Sequence, residues 1–589
     1  MRFVIAIVLF VVAFVTIGFG IAQRTILVGP ASFTSEVSTG DAPVTVIEGA
    51  ALNAFPGTQG VTVAGGDEIF LAYGRTGDVL AWIGDATYNE ITFDVDAQKL
   101  VSKVAKGAED TVPSAVDSDL WLQQYEGNRE LTRRINVPDG ISAIVTSNGT
   151  DPAPKNITIT WPLDNSAPMA GPLIVGGIFA LLLGLAVFLW ALVHARRRRG
   201  PRRTQLRPPK APQPPRLKRG KQPQQLTGGP GALEDGVGTS PVKSRGRRTK
   251  LIAASTLLVG SLALAGCTTG GASGSSAEPT PTSTAGVEQE PTAVTEQQLV
   301  RIMDEVTKTV AAADAAKDVA LASTRLGGPA LQLRTAGYAI ETADSSIGAV
   351  TSIPEGTIQI TLPQQNASWP RAVFAVVVPP DATSAPLAVV LEQETARDNY
   401  KVHYLIALEP KTVLPEVAPP QIGAVTLAPD NPLGLLAPDA LADAYGDILL
   451  NDTASESNDL FSPEGDSLRT TLGAQYKADR KAGLPSTATI AYSHAPSTED
   501  PISFPTNDSG QLVAVALDDT ETVTPVEAGA AVNTAGAVKA LSGKPQSTKG
   551  ITATYGIQLL FYVPSITDKN AKIQLLGFTQ GLTSASEVP

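Results

Sequence analysis

Cysteine and histidine are almost absent from this chain of 589 residues. It contains one cysteine, Cys267, and three histidines, His194, His403 and His494. A single cysteine excludes a disulfide framework within the chain and any zinc site built on several cysteines. The three histidines are far apart and none has another at ligand spacing. We therefore predict no metal site and no cofactor.

The motifs of the common catalytic systems are also missing. The chain has no G-x-S-x-G nucleophile elbow, no P-loop and no Rossmann glycine fingerprint, so we predict no catalytic residue. In the segment Tyr400–Tyr404 (YKVHY), strand geometry would place Tyr400, Val402 and Tyr404 on one face and His403 on the other. We interpret this pattern as a half-buried strand rather than as a site for a catalytic or ligating histidine.

Acidic residues cluster at two places, Asp94-Val95-Asp96 and Asp518-Asp519-Thr520-Glu521. Neither cluster reproduces the oxygen-rich calcium loop D-x-[DN]-x-[DN]-G. We interpret both as solvated turns and strand edges. A pair of glycosidase carboxylates stays open, because two acids that are distant in sequence can meet in the fold.

Positive charge is concentrated in one short island. Residues 195–250 hold 17 of the 45 basic residues and 2 of the 57 acidic ones, so the rest of the chain is strongly acidic. The island is rich in proline, glutamine and glycine, a composition typical of disordered segments. It lacks interleaved aromatic residues, so we expect contact with anionic lipid headgroups and no binding of nucleic acid.

Two long apolar runs predict membrane spans. Residues 1–23 form an anchor or a cleavable signal, and the length of the run favours the anchor. A second span is predicted at residues 169–194. It ends beside four arginines, Arg196, Arg197, Arg198 and Arg199, which place that side in the cytoplasm by the positive-inside rule. The intervening residues 24–168 are then extracytoplasmic, and 195–250 form a cytoplasmic linker.

A third apolar segment, residues 251–267, resembles a bacterial lipoprotein signal. A basic flank precedes the run, and Leu264, Ala265 and Gly266 stand in lipobox positions before Cys267. The resemblance implies lipidation of Cys267, followed by a flexible tether at 268–290. Everything after Cys267 would lie outside the cell. An ordinary third helix is the alternative, and the sequence leaves open whether the chain is cut.

The region 24–168 is predicted to be mostly β, with short apolar runs separated by glycine, aspartate, asparagine and proline. The spacing predicts a small sandwich or barrel. Val79–Ile83 is predicted as one of its strands. Val116–Arg134 is the one segment for which we predict helical character.

Two further modules are predicted at 291–425 and 436–589. Each starts with an amphipathic helix, at Glu296–Ser323 and Pro438–Leu450, and continues as β-like runs. A local echo supports duplication, because Leu-Arg-Thr follows the first helix of each module with a tyrosine nearby. The two copies are Leu333-Arg334-Thr335 with Tyr338, and Leu468-Arg469-Thr470 with Tyr476.

This order of elements resembles the cone-shaped α+β modules of the nuclear-transport-factor-2-like (NTF2-like) kind. The layout, the second span ending in RRRRGPRR and the strand starting at Trp369-Pro370-Arg371 resemble envelope proteins of actinobacteria. That resemblance supplies no functional site. A cone implies a pocket between sheet and helix, or else a filled core, and the filled cores are the simpler interpretation. The lining would be Phe374, Val376, Leu405 and Ala407 in the first module, and Leu559, Phe561 and Val563 in the second.

The predicted fold class is thus a multi-domain membrane protein. A mostly-β outer domain lies between two transmembrane helices, and a duplicated, cone-like α+β outer domain follows. For function we expect a cell-envelope protein whose outer modules bind or scaffold another component. An enzyme or accessory factor of envelope glycan or lipid assembly, or an envelope lipid carrier, is the alternative. The expected partners are the bilayer and other envelope proteins or lipids.

Overall fold

The computed structural model describes residues 1–197, 290–348, 350, 352–568 and 570–589. The predictions that concern Arg198, Arg199, the basic linker, Leu264, Ala265, Gly266, Cys267 and the tether lie outside the described residues. The chain divides into two compact units: the described residues of the first are Met1–Gly18 and 173–197, and the second holds Phe19–Pro172 and Val287–Pro589.

The described helices, in chain order, are α1 (Arg2–Thr25), α2 (Gly49–Leu52), α3 (Thr76–Ile83), α4 (Ala170–Arg197), α5 (Glu296–Ala316), α6 (Val319–Ala322), α7 (Gly328–Ala343), α8 (Leu441–Asn451), α9 (Ser467–Leu472), α10 (Ala474–Ala482) and α11 (Gly536–Ser542). The strands before α4 are β1 (Ser32–Ser38), β2 (Val44–Ile47), β3 (Gln59–Ala64), β4 (Ile69–Arg75), β5 (Tyr88–Asp94), β6 (Lys99–Ala105), β7 (Gln123–Gly127), β8 (Glu130–Ile135), β9 (Ile141–Thr146) and β10 (Asn156–Pro162). The later strands are β11 (Thr357–Pro363), β12 (Arg371–Val378), β13 (Leu387–Gln393), β14 (Lys401–Ala407), β15 (Ala488–Pro496), β16 (Ile502–Pro505), β17 (Gln511–Pro525), β18 (Val532–Asn533), β19 (Gln546–Ser547), β20 (Ile551–Val563) and β21 (Gln574–Glu587).

Two helices, α1 and α4, are long and apolar enough to cross a membrane, with mean hydropathy of 3.0 and 2.6 over their most apolar windows. Most of their large apolar side chains are exposed. Exposure of so much apolar surface to water is energetically unfavourable, so both helices are suited to a lipid environment. The two predicted spans therefore coincide with two helices of the right length.

Small residues line the contact between these two helices. Ala6 and Ala13 of α1 are fully buried, and Gly177, Gly184 and Ala191 of α4 repeat every seven residues on its buried face. A Cβ atom on Gly177 would lie 2.5 Å from a side-chain carbon of α1, so only glycine permits this approach. Close packing through small residues is typical of helices that associate in membranes.

The strands between the two apolar helices form a sandwich. One sheet has the order β1-β10-β3-β8, and the other has the order β6-β5-β2-β9-β4-β7. Side chains such as Val61, Ile159 and Trp161 of the first sheet pack with Leu71 and Val145 of the second. Buried residues alternate with less buried ones along β3 and β10, so one face of the first sheet supplies this core.

Two predictions for this domain are wrong. The predicted strand Val79–Ile83 is the second half of α3, in which Val79, Trp82 and Ile83 are buried at helical spacing. A short apolar run does not distinguish a buried helix from a strand. The predicted helical segment Val116–Arg134 instead contains β7 and most of β8, joined where Arg129 adopts a φ of 67°. The Gly-Asn pair before that residue favours a turn over a helix.

The region from 290 to 589 consists of four layers. Helix α5 packs on one face of the antiparallel sheet β11-β12-β13-β14, and α8 packs on one face of the sheet β15-β17-β20-β21. The remaining faces of the two sheets pack against each other through a shared apolar core. In each half, three α-helices precede an antiparallel sheet, which has four strands in the first half and five in the second, where β16 also pairs with β17. The order helices then sheet therefore occurs twice, as predicted.

A β-bulge at His403 changes the predicted facing of β14. Val390 pairs with Tyr404 and the next residue, Leu391, pairs with Val402, so His403 is the extra residue. The bulge shifts the alternation by one, and Tyr404 packs in the core between the sheets whereas Val402 faces α5. The prediction that Tyr400, Val402 and Tyr404 share one face is therefore wrong at Tyr404.

The β sandwich packs directly against the region from 290 to 589. Ala396 and Trp369 of the later region join the apolar cluster of the sandwich that contains Trp82 and Trp121. Arg371 is 1% exposed, pairs with Asp78 of the sandwich at 2.7 Å and lies 3.9 Å from the Trp369 ring centroid.

Further polar contacts complete this interface. Arg325 pairs with Asp119, and both side chains are buried. Arg397 donates hydrogen bonds of 2.8 and 2.7 Å to the carbonyl oxygens of Trp82 and Ile83 at the end of α3. Carbonyl groups at the C-terminal end of a helix carry partial negative charge, so a guanidinium is favourable there. The sandwich and the later region thus share a buried, hydrogen-bonded interface.

Candidate functional site

A cleft of about 470 Å³ lies between α7 of the first half and the long strands of the second half. The strands β17, β20 and β21 have 15, 13 and 14 residues, so they extend beyond the part that packs against the first sheet. Helix α7 packs on β20 and β21. The cleft is therefore formed by one half resting on the extended strands of the other.

One wall of the cleft is apolar. Along α7 it is formed by Ala330, Leu333, Gly337 and Ile340, which recur every three or four residues and so lie on one helix face. Leu582 of β21 continues this wall from the second half.

The part of the cleft lining that comes from α10, β15 and β17 is polar and contains a buried ion pair. The Lys477 ammonium of α10 donates a hydrogen bond of 2.6 Å to Oδ1 of Asp519 on β17, and each side chain is 4% exposed. The same ammonium lies 5.4 Å from the ring centroid of Tyr492. Since a buried charge is costly without a partner, Asp519 and the ring together hold the ammonium in place.

A second ion pair stands beside the first. Arg480 donates to both carboxylate oxygens of Glu521 at 3.0 Å. Burial raises the pKa of Glu521, although Arg480 opposes this shift. Burial and the nearby Glu521 raise the pKa of Tyr555 to about 12, so its hydroxyl stays protonated and can donate a hydrogen bond. Tyr476, which is 38% exposed, also lines the cleft.

The pocket-lining residues predicted inside each module are mostly filled core. Phe374 and Val376 belong to the apolar core between the two sheets. Leu559, Phe561 and Val563 pack against α8 and are fully buried. Ala407 is half-buried on β14, and only Leu405 lines the cleft. The favoured interpretation of these residues as core is confirmed for the five that are buried.

Both histidines of the region from 290 to 589 lie close to glycines. The His403 imidazole packs against Gly327, where a Cβ atom would lie 2.6 Å from its Nε2. His494 of β15 packs against Gly446 of α8, and its Nε2 lies 3.3 Å from Asp443. Among the described residues, no group of three or more His, Cys, Asp or Glu side chains is placed to hold a metal ion.

One of the two acidic clusters is positioned as predicted. Asp94 is the exposed last residue of β5, and its Oδ1 accepts hydrogen bonds from the backbone N–H groups of Asp96 and Ala97 in the turn that follows. The other prediction is wrong, because β17 is an inner strand that pairs with both β15 and β20. Asp519 is buried there and Glu521 is half-buried, and both line the cleft.

Sequence reasoning missed Lys477 and Arg480. They stand three residues apart and so lie on one face of α10, while Asp519 and Glu521 stand two apart on one face of β17. The matched spacing of two bases and two acids is the signal that could have pointed to them. It does not identify the partners, since the helix and the strand meet only in the tertiary structure.

Residues 290–587, just over half of the chain, match a family described as a domain of unknown function, DUF8094. No curated protein and no solved structure matches the chain. The matched residues include the sheet of each half of the region from 290 to 589, the cleft, and one side of the interface with the β sandwich. The chain therefore belongs to the DUF8094 family.

Proposed function

We propose that this protein is a membrane-anchored component of the cell envelope whose outer parts form one binding or scaffolding unit on the extracytoplasmic face. Helices α1 and α4 support the anchoring, since both are long and apolar enough to span a bilayer. The arginines that begin at Arg196 support a cytoplasmic end of α4.

The observation that carries the proposal is the buried interface between the β sandwich and the DUF8094 region. The sandwich lies between α1 and α4 in the chain, and the DUF8094 region follows α4. Two surfaces that bury Arg371 against Asp78 have to lie on the same side of a membrane. If α4 crosses the bilayer, the chain has to cross back between residues 197 and 290.

The apolar run Leu251–Gly266 is our proposed return crossing. It has 16 uncharged residues, which is short for a span and suits the apolar part of a lipoprotein signal. Lipidation of Cys267 would then anchor the DUF8094 region beside the sandwich. Cleavage before Cys267 would leave two chains joined by the buried interface.

We also propose that the two halves of the DUF8094 region are duplicated modules of the NTF2-like kind. Their shared order of three α-helices followed by an antiparallel sheet supports this. In the first half, Asp314 forms an ion pair with Arg334 and accepts a hydrogen bond from the Tyr338 hydroxyl. In the second half, Asp466 forms an ion pair with Arg469 and accepts a hydrogen bond from a tyrosine hydroxyl. That tyrosine is Tyr445, and not Tyr476, which the sequence comparison of the two halves had paired with Tyr338.

Carriage or binding of an envelope lipid is the second candidate. The apolar wall of the cleft favours it over a role in glycan assembly, because a wall of aliphatic side chains matches an acyl or isoprenoid chain. Both candidates require the DUF8094 region to lie outside the cytoplasm.

The experiment is cysteine accessibility in intact cells, in a Cys267→Ala background without other cysteines. Ala97→Cys in the sandwich and Ala382→Cys in the DUF8094 region are exposed positions. We expect a membrane-impermeant maleimide to label both. Ser240→Cys, in the basic linker, is the control and should react only after the cells are permeabilised. Labelling at Ala97→Cys without labelling at Ala382→Cys would show opposite sides and overturn the proposal.

A further inference from the structure

We infer that the cleft binds an uncharged amphiphile, with its apolar chain along α7 and a hydroxyl-rich head beside the polar lining from α10 and β17. This inference rests on the proposed binding function and adds the chemical class of the ligand. Glycolipid-like molecules with a neutral head have this chemistry.

The size and position of the cleft suit such a ligand. Its volume of about 470 Å³ falls in the range of about 300–1,000 Å³ that is typical of small-molecule sites. The apolar side chains from Leu326 to Ile340 run along the cleft, and Ile353 extends the same surface. Burial of an aliphatic chain there would remove apolar surface from water and so favour binding.

The polar part of the cleft lining offers neutral hydrogen-bonding groups. Tyr476 and Tyr555 line the cleft with rings and hydroxyls and Gln580 with an amide, whereas the Tyr492 hydroxyl is buried. Aromatic faces with nearby hydroxyl and amide groups suit a polyhydroxylated head, which has both C–H faces and O–H donors. Tyr492 is already close to Arg480, and its pKa is raised chiefly by burial.

The charged side chains that line the cleft already form ion pairs within the protein. Lys477 pairs with Asp519, Arg480 pairs with Glu521, and Arg334 pairs with Asp314 on the α7 side. A charged head would have to break one of these pairs or enter a partly buried space without a counter-ion. Either event is energetically unfavourable. A neutral head avoids this cost, so the charge pattern selects against ionic amphiphiles.

The test uses the full chain reconstituted in lipid nanodiscs after detergent removal. Three photoactivatable probes share a decyl chain that carries a diazirine and differ only in the head: maltoside, sulfate or trimethylammonium. Labelled peptides are mapped by mass spectrometry. We expect the maltoside probe to label α7 and β21, and the two ionic probes to label these peptides at least about tenfold less.

Two variants locate the binding within the cleft. Leu333→Trp places a bulky ring in the cleft and should abolish labelling of β21, whereas Val300→Trp on the exposed face of α5 should leave it unchanged. Tyr555→Phe keeps the ring and removes one hydroxyl. It should reduce labelling by the maltoside probe about two- to tenfold, the range for one lost hydrogen bond.

The outcomes separate the ligand class from the proposed function. Equal labelling of the cleft by the maltoside and ionic probes would overturn the neutral class. Labelling that misses α7 and β21, or that persists in Leu333→Trp, would overturn the cleft as the site. Neither result changes the maleimide accessibility of Ala97→Cys and Ala382→Cys, which tests the proposed function independently.

Discussion

Asp119 of the β sandwich accepts a hydrogen bond of 2.5 Å from the guanidinium of Arg325, which lies 206 residues later in the chain. The same carboxylate oxygen accepts the backbone N–H of Tyr400 at 2.9 Å. Burial raises the pKa of Asp119, and Arg325 is the main opposing influence. A buried carboxylate with two donors from the other region makes the interface specific, because a shifted register would leave a charge unpaired.

Removal of Asp119 should weaken this interface strongly. Asp119→Ala leaves the Arg325 guanidinium buried without its counter-ion, so we expect the protein to lose about 3–5 kcal/mol of stability. Denaturant unfolding of the reconstituted chain, followed by near-ultraviolet circular dichroism, measures the loss. Glu109→Gln is the matched control. The Glu109 side chain is 47% exposed and that of its partner Arg397 is 33% exposed, so this pair should contribute less than about 1 kcal/mol. Similar losses in both variants would contradict a buried interface at Asp119.

The pairing of α1 with α4 should depend on small residues at the contact. Gly184 is buried, and a Cβ atom there would lie 3.2 Å from the Cβ of Leu9. Gly184→Leu should therefore push the helices apart, whereas Ala186→Leu, at an exposed position two residues later, should be tolerated. The measurement is the yield of bis-maleimide cross-linking between cysteines placed at Phe3 and Phe188, whose rings lie 6.0 Å apart. An unchanged yield in Gly184→Leu would show that the contact does not require glycine.

Acidification should destabilise the protein partly through His403. Burial lowers the pKa of His403 below its ordinary value of 6.5, with Glu499 opposing this shift and Lys401 adding to it. The unfolded chain then binds the proton more readily than the folded one. The contribution of His403 to the free energy of unfolding is therefore complete above pH 6.5. It decreases as the pH falls below 6.5 towards the lower pKa that His403 has in the folded protein.

His403→Gln removes the titration and should make the unfolding midpoint less dependent on pH between about 7 and 5. The comparison is made as a difference from the wild-type protein at each pH, because other groups also titrate in this range. Identical pH profiles for the two proteins would show that His403 is not held in its neutral form.

Lipidation at Cys267 is a prediction from the sequence, since this residue lies outside the described part of the chain. We expect the full protein to incorporate a labelled fatty acid in cells and Cys267→Ala to incorporate none. Ser275→Ala, in the adjoining Gly/Ser-rich tract, is the control and should keep the label. A wild-type protein without label would contradict the lipoprotein interpretation. Gel mobility shows in the same samples whether the chain is cut before Cys267.

Much of the element order was predictable from local pattern. The helix predicted from Glu296 is α5, and its N-terminus has a capping box in which Thr295 and Gln298 satisfy each other's backbone N–H groups. The length and composition of the two long apolar runs were enough to predict the helices α1 and α4. Such signals are carried by neighbouring residues, so no knowledge of distant contacts is required.

The errors arose where distant contacts decide the outcome. The run Val79–Ile83 became a helix because three of its side chains pack beneath the larger sheet of the sandwich. The bulge at His403 turned Tyr404 to the other face of its strand. Asp519 is buried because Lys477 neutralises it, and nothing near Asp519 in the sequence indicates that partner.

Composition and local periodicity are enough to specify the apolar helices, the charge asymmetry, the lipoprotein-like segment and the repeated order of helices and strands. These features depend on residue type and on periods of two and 3.6 residues, which neighbouring residues carry. The packing of the β sandwich against the DUF8094 region and the cleft along α7 are visible only once the chain is folded. Both depend on which surfaces meet, and a buried pair such as Asp119 with Arg325 is formed by residues that local patterns cannot connect.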